Sequence, residues 1–266
     1  MKKEKVPPET PREYNGGDYL PKLVYEIVDR LRLPQTTCNK LVYFGGHLDC
    51  NGSDGAHSDG LNCNKICVKD GYKGVCMDGS LKPMAKDCLI LSVGIGNEFS
   101  FDNAMARYGC QIYSVDFTMK NWTHFAYAPN QHFLSLGISH SNTEGLALVY
   151  EHEGKNQTLR TSMLTLASLL QVLDVRTRII SYLKLDIEND EWEVLEHVLK
   201  ITPWVLKSVR QLAFEVHLED ILQLNYDIER ALPKVVRIRK VLQGLEVRPP
   251  AFASFTAGKT PKPTFP

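Results

Sequence analysis

A glycine turn and a distant acid are the first residues in this chain whose types and spacing suit chemistry. Gly94 and Gly96 follow the apolar run 88–93, and Asp116 closes the next such run, 20 positions after Gly96. Glycines at a strand end allow positive φ and leave backbone N–H groups open to a ligand. A carboxylate after the second strand accepts hydrogen bonds from ribose hydroxyls. The pattern predicts a site for a nucleoside-bearing cofactor, although an aspartate here can also be only a turn residue or helix cap.

The residue at position 99 distinguishes two cofactor classes. The dinucleotide fingerprint GxGxxG needs a third glycine where the helix packs closely, and Phe99 stands there. S-Adenosylmethionine has no pyrophosphate and carries a cationic sulfonium, so it fits this turn better than NAD does. We therefore expect S-adenosylmethionine as the cofactor, and a nicotinamide-dependent oxidoreductase is disfavoured.

A second acidic cluster lies in "YLKLDIENDEWEVL". Asp186 ends the apolar run and Glu188 follows it, so both would emerge where an open parallel sheet binds its ligands. We assign these two a catalytic role: they would orient the sulfonium side or a polar acceptor, or bind a divalent cation. Asp190 and Glu191 are better explained as acids that stabilise a helix N-terminus. We assign no metal site in the chain.

His217 is the third candidate catalytic residue. It follows the apolar run 211–216 in "QLAFEVHL". Its ordinary pKa near 6.5 would let it take a proton from an acceptor hydroxyl. A structural histidine bonded to a backbone carbonyl explains the same residue equally well.

The elements that must position these residues alternate between short β-like runs and helical stretches. We predict a first helix over 18–33, then strands over 88–93, 111–115, 132–136, 146–150, 180–185 and 211–216. Further helices are predicted over 101–108, 119–127, 162–173, 191–200 and 220–232. Strand and helix in alternation indicate an α/β fold, a parallel sheet with helices on both faces.

Composition excludes some partners and suggests a compartment. Lys+Arg and Asp+Glu number 31 each, so we expect no nucleic acid partner, and no apolar run is long enough to span a membrane. All seven cysteines precede residue 111, which favours disulfides over a structural zinc site. Sequons at Asn51, Asn121 and Asn156 add a second secretory signal. We expect a secreted or lumenal glycoprotein whose signal lies outside this chain, with the cytoplasm as the alternative.

Four segments in order resemble a known family. "LILSVGIGNEFSFD", "IYSVDF", "YLKLDIENDEWEVL" and "LAFEVHLED" resemble the methyltransferase-like domain proteins related to FkbM-type methyltransferases. The resemblance implies a Rossmann-like class I fold that uses S-adenosylmethionine. It also implies a role for each matching position: Gly94 and Gly96 beside the methionine moiety, Asp116 on the ribose, Gly137 and Ser139 near the adenine, Asp186 and Glu188 facing the acceptor.

The chain departs from the family pattern at two places. Ser92 and Glu98 stand where many class I enzymes have an acid and a third glycine, and the strands after Leu245 are expected to be incomplete.

We expect a tail and helix over 1–37, a cysteine-rich region over 38–87, the methyltransferase-like domain over 88–246 and a disordered tail over 247–266. The leading hypothesis is methyl transfer to an oxygen or nitrogen nucleophile on an unknown acceptor. The alternative is a catalytically inactive binding module of the secretory pathway.

Overall fold

A computed structural model of the chain describes residues 16–32, 38–50, 67–119, 124–152, 155–187, 190–216, 228–247 and 252–257. Its centre is a seven-stranded sheet in which six strands are parallel and one edge strand is antiparallel. The strands, in spatial order, are β14 Phe252–Ala257, β13 Gln211–Val216, β12 Tyr182–Leu185, β5 Leu89–Val93, β6 Gln111–Val115, β8 Gln131–Leu134 and β7 Phe125–Ala128. The predicted α/β class with a parallel sheet is confirmed.

Two layers cover the sheet, because successive strand residues point to opposite faces. One core joins Leu89, Leu91 and Val93 of β5 to apolar residues of five helices. The other core joins Ile90 to Phe101 and Met105 of a single helix. Within the described residues the α-helices are α1 Gly16–Arg32, α2 Ser100–Tyr108, α3 Leu166–Val172, α4 Glu191–Lys200, α5 Trp204–Lys207 and α6 Ile228–Val247. Of these, α2 covers the second face.

The region before β5 forms two small antiparallel strand pairs. Strand β1, Leu41–Phe44, pairs with β4, Lys73–Cys76, and β2, His47–Cys50, pairs with β3, Cys67–Asp70. Cys38 is disulfide-bonded to Cys76, and Cys88 to Cys110. The expectation of disulfides is confirmed for these two pairs. The second bridge joins the residues immediately before β5 and β6. It therefore lies at the starts of these strands, opposite the ends that carry Gly94 and Asp116.

A long hairpin interrupts the alternation after β8. Strands β10, Thr143–His152, and β11, Lys155–Leu164, pair with each other, and β11 also pairs with β9, Gly137–Ile138, in a separate sheet. The strand predicted over 146–150 therefore lies outside the main sheet. The helix predicted over 119–127 is wrong, because Phe125–Ala128 forms the antiparallel edge strand β7.

The C-terminal end of the sheet also differs from expectation. The segment "VVRIRKVL", the candidate for one further strand at this end of the sheet, lies inside α6. There Val235, Ile238, Val241, Leu242 and Leu245 recur at helical spacing and enter the main core. The tail predicted to be disordered carries β14, which runs parallel to β13. Within the described residues, one strand rather than two extends this edge of the sheet.

Candidate functional site

The turn after β5 is held against the end of β12. Gly94 has φ 77°, and a Cβ placed on it would lie 1.6 Å from the carbonyl oxygen of Asp186. Gly96 also has positive φ, 54°, but a Cβ there would meet no atom within 4 Å. The first glycine is therefore required by backbone packing, whereas the second leaves open space beside the turn.

Asp116 reaches the glycine turn, as its spacing predicts. Its Oδ2 accepts hydrogen bonds from the backbone N–H groups of Ile95, at 2.7 Å, and Gly96, at 2.8 Å. Its Oδ1 accepts from the backbone N–H and the hydroxyl of Thr118, both at 2.7 Å. The carboxylate therefore braces the turn as well as facing the space beside it, and a ribose would have to replace some of these donors.

A cavity of about 200 Å³ opens between the ends of β5, β6 and β12. Four predicted cofactor-binding residues and one predicted catalytic residue lie in its wall: Gly94, Gly96, Asp116, Gly137 and Asp186. The remaining described lining residues are neutral: Val93, Ile95, Val115, Phe117, Thr118, Leu136, Ile138 and Ile187. Among the described lining residues, two aspartates thus carry all the charge.

The side of the cavity predicted to hold adenine is formed by β9. Gly137 lines the cavity, and a Cβ on it would lie 2.3 Å from Met163 Sδ, so a larger residue here would require the Met163 side chain to move. Ser139 is not among the described lining residues, and its backbone N–H donates to Leu164 O at 2.9 Å. Phe117, which the sequence reasoning missed, lines the cavity directly after Asp116. The signal for it was available, since residues that follow a strand-end acid share its edge of the sheet.

Asp186 lies at the end of β12 between two lysines. Lys184 Nζ is 3.3 Å and Lys73 Nζ 3.8 Å from Asp186 Oδ2. Burial alone would raise the pKa of Asp186, but Lys184, a hydrogen bond with Glu215 and Lys73 together lower it below its usual value. Asp186 is therefore a carboxylate at neutral pH and a weak proton acceptor, better suited to orienting a ligand than to removing a proton.

The acid missing from position 92 has a counterpart on the facing helix. Ser92 is buried, and Asp102 of α2, also buried, accepts a hydrogen bond from the Ser114 hydroxyl at 2.7 Å. Burial raises the pKa of Asp102, and the charge of Lys184 with the hydroxyls of Ser114 and Ser92 offsets only part of that rise. Neither Ser92 nor Asp102 is among the described cavity-lining residues, so this carboxyl group contacts side chains of β5 and β6 rather than the cavity.

This leaves two predicted catalytic residues, Glu188 and His217, and the buried acid Glu191. Glu188 and His217, both predicted to be catalytic, lie outside the described residues. Glu191 is buried, and its Oε1 accepts a hydrogen bond from the backbone N–H of Ile187 at 2.8 Å. That contact ties the start of α4 to the end of β12, which supports the helix-terminus interpretation of Glu191.

Comparisons with known proteins agree with this geometry. A family profile described as "Methyltransferase domain" matches residues 61–224, and the motif-based resemblance is thereby confirmed. The chain is 27% identical over 147 residues to the human protein named "Probable methyltransferase-like protein 24". That alignment covers 50% of this chain and 33% of the human protein, so the chain spans about a third of its relative's length.

Two further findings concern solved structures and membrane-spanning helices. No solved structure matches the chain. None of the helices within the described ranges has the length and apolar character needed to cross a bilayer. Because the family profile matches more than half of the 266 residues and the glycine turn with its strand-end acid falls within it, the chain belongs to this family of methyltransferase domains.

Proposed function

We propose that the chain binds S-adenosylmethionine in the cavity beside the glycine turn and transfers its methyl group to an oxygen or nitrogen nucleophile. The observation that carries this proposal is the charge of the cavity wall, where the charged side chains are Asp116 and Asp186. A cationic sulfonium is attracted by two carboxylates, whereas the pyrophosphate of a dinucleotide is repelled. The apolar side chains on either side suit the adenosyl group.

The wall residues have distinct roles in this proposal. Gly94 and Gly96 lie beside the methionine moiety, Asp116 accepts the ribose hydroxyls, and Gly137 with Phe117 bounds the adenine. Ser139 stays a candidate for adenine through its side chain, since its N–H is already bonded. At about 200 Å³, the space is below the ~300–1,000 Å³ of typical small-molecule sites, so part of the cofactor extends beyond these residues.

The acceptor is proposed to enter at the Asp186 end of the cavity. The cofactor would supply an electrophilic methyl group: as the nucleophile's bond to that carbon forms, the carbon–sulfur bond would break to leave S-adenosylhomocysteine, and the nucleophile's proton would pass to a base. Asp186, paired with two lysines, orients the acceptor by hydrogen bonding rather than taking that proton. His217 and Glu188 are the proposed bases, and His217 has the more suitable ordinary pKa.

Calorimetric titration of the oxidised chain with S-adenosylmethionine, S-adenosylhomocysteine and NAD tests the proposal. We expect saturable binding of the first two and none of NAD. Asp116→Ala and the isosteric Asp116→Asn should both weaken binding, by about tenfold or more for loss of charge-assisted hydrogen bonds. Asp87→Ala, an exposed acid before β5, serves as the control and should bind like the wild type. Absence of S-adenosylmethionine binding by the oxidised chain would refute the proposal.

The competing function is a methyltransferase fold that no longer catalyses transfer. Two observations favour it. Asp116 already accepts four hydrogen bonds from the protein. Glu98 stands where many class I methyltransferases have a third glycine, and its Oε1 accepts a hydrogen bond from Ser100 N at 2.6 Å. Cofactor binding without consumption of S-adenosylmethionine over a panel of hydroxyl and amine acceptors would favour this alternative.

We also propose that the protein matures in the secretory pathway and is glycosylated. The Cys38–Cys76 and Cys88–Cys110 disulfides are compatible with an oxidising compartment. Expression behind a secretion signal in cells, followed by glycosidase treatment, tests this. A mobility shift that Asn156→Gln reduces would support use of that sequon, and an unshifted secreted protein would contradict glycosylation.

A further inference from the structure

We propose that Lys73, on β4 of the cysteine-rich region, is a positioning residue of the methyl-transfer site and acts with Lys184 to hold Asp186. This inference rests on the proposed function and deepens it, because it means that the region before the parallel sheet contributes a positioning residue to the site. Neither the glycine turn nor the acidic motif points to Lys73.

The two lysines approach the same carboxylate oxygen from different elements. Lys73 Nζ lies 3.8 Å and Lys184 Nζ 3.3 Å from Asp186 Oδ2. Lys73 is 8% exposed and Lys184 is 7% exposed. Ammonium groups withdrawn from water this far must have nearby anionic or carbonyl partners. Asp186 is the partner that both of them share.

Lys184 extends this contact to the cofactor turn. Its Nζ also donates a hydrogen bond to the carbonyl oxygen of Gly94. The backbone of Gly94 packs against the carbonyl of Asp186, so closely that no Cβ fits between them. A shift of the Asp186 carboxylate therefore displaces Lys184 and, through it, the first glycine of the turn.

The fold fixes Lys73 in this place through the other residues of β4. The Gln211 side chain bonds both backbone groups of Cys76, accepting from its N–H at 2.8 Å and donating to its C=O at 3.0 Å. The Tyr182 hydroxyl donates to Gly74 O at 3.0 Å. Strand β4 is thus tied to the starts of β13 and β12, and its first residue reaches the end of β12. This leaves Lys73 little freedom to move away from Asp186.

The charged groups that face Asp186 explain what the lysines do. Burial favours a protonated, uncharged Asp186, whereas Lys184, a hydrogen bond with Glu215 and Lys73 each favour the carboxylate. Together these contacts outweigh burial, and the pKa of Asp186 is lowered. With Lys73 removed, we expect the carboxylate to draw closer to Lys184 and to lose its fixed position at the acceptor end of the cavity.

A double-mutant cycle on the stability of the whole oxidised chain tests the contact independently of any cofactor. Lys73→Met should destabilise the wild type more than it destabilises Asp186→Asn. A folded-state pKa below the unfolded value gives stability that is present above the unfolded pKa and lost as pH falls through the folded one. The difference between the two backgrounds should therefore shrink between pH 7 and pH 3. Equal destabilisation in both backgrounds at pH 7 would overturn the inference.

Calorimetry with S-adenosylmethionine then tests the role in the site. Lys73→Met should weaken binding by about fivefold, a size typical of coupled contact residues, and Lys73→Arg should restore most of it. The control Lys82→Met removes an exposed lysine of the same region and should bind as the wild type does. Unchanged binding by Lys73→Met, while the wild type binds, would overturn the inference alone. Failure of the wild type to bind would instead overturn the proposed function.

Discussion

Asp116 bonds to the glycine turn with one oxygen and to Thr118 with the other, and this division suggests where a ribose enters. The turn depends on Oδ2, whereas Oδ1 bonds Thr118, which is exposed. The donors on Thr118 are therefore the ones a ribose can replace at least cost to the fold. The protein donors and the cofactor hydroxyls would compete for the same lone pairs.

Thr118→Val tests this competition because it removes the hydroxyl donor and keeps the branched shape. We expect the free energy of unfolding to fall by about 0.5–1.5 kcal/mol, the usual net value of one hydrogen bond. S-Adenosylmethionine should bind with unchanged or tighter affinity, since Oδ1 has lost a competing donor. Chemical unfolding and calorimetry measure the two quantities. Weaker binding by the variant would mean that the Thr118 hydroxyl itself contacts the cofactor.

Asp102→Asn probes the buried acid behind the turn. A raised folded-state pKa stabilises the folded protein below the unfolded value, and this contribution disappears as pH rises through the folded one. The wild type therefore carries an unfavourable buried charge at high pH, and asparagine keeps the acceptor for Ser114 without it. We expect Asp102→Asn to gain stability relative to the wild type from pH 4 to pH 8 in urea unfolding. The opposite trend would show that Asp102 is an ionised partner of Lys184.

The glycine turn provides a matched pair of substitutions at neighbouring positions. Gly94→Ala places its methyl group against Asp186 O and should cost at least about 3 kcal/mol, as forced backbone movement in a core does. Gly96→Ala has open space and should cost only the roughly 1–2 kcal/mol of left-handed backbone strain. Its methyl group would enter the space beside Asp116, so the folded variant should lose cofactor binding. Folded Gly96→Ala that binds S-adenosylmethionine normally would put the methionine moiety elsewhere.

The two disulfides differ in which elements they cross-link. Replacing either pair with serine removes a cross-link, of sequence separation 38 or 22, that the chain-entropy relation values at about 3–4 kcal/mol. Cys38–Cys76 anchors β4 and hence Lys73, whereas Cys88–Cys110 joins the strand starts away from the cavity. Well below the melting temperature, we expect loss of the first pair to weaken cofactor binding and loss of the second to leave it unchanged. Equal effects on binding would show that β4 holds its position without the disulfide.

The local sequence pattern predicted strands that are buried on both faces and a helix that is buried along one stripe. Strands β5 and β13 are mostly apolar, as is typical of parallel strands buried on both faces, and α4 shows one apolar stripe. The helix predicted over 119–127 includes the edge strand β7, and the candidate strand 235–242 lies in α6, because pairing partners and the helix's packing face are set by distant parts of the chain. The approach of Asp116 to the turn followed from topology. The contact of Lys73 with Asp186 did not, since no motif spans the two.

The core of the molecule extends beyond the segment that matches the family. That match covers 61–224, whereas Leu20, Leu23 and Ile27 of α1 are buried in the same core as the apolar stripe of α6. Arg239 of α6 also donates to Glu26 of α1 at 3.1 Å. These two helices pack on each other and on the face of the sheet that carries α4, so both contribute to the core beneath the matched segment.

A chain cut to residues 61–224 should therefore fail to fold alone. Besides Ala231, it would lose eight large buried apolar side chains: Leu20, Leu23, Ile27, Val235, Ile238, Val241, Leu242 and Leu245. At about 1.5–3 kcal/mol each, their burial is as large as the whole stability of a domain, roughly 5–15 kcal/mol. A control chain of residues 16–257 keeps every described element. We expect cooperative thermal unfolding from the control and dye-binding, non-cooperative behaviour from 61–224. Cooperative unfolding of the short chain would show that α1 and α6 are accessories to a self-sufficient sheet.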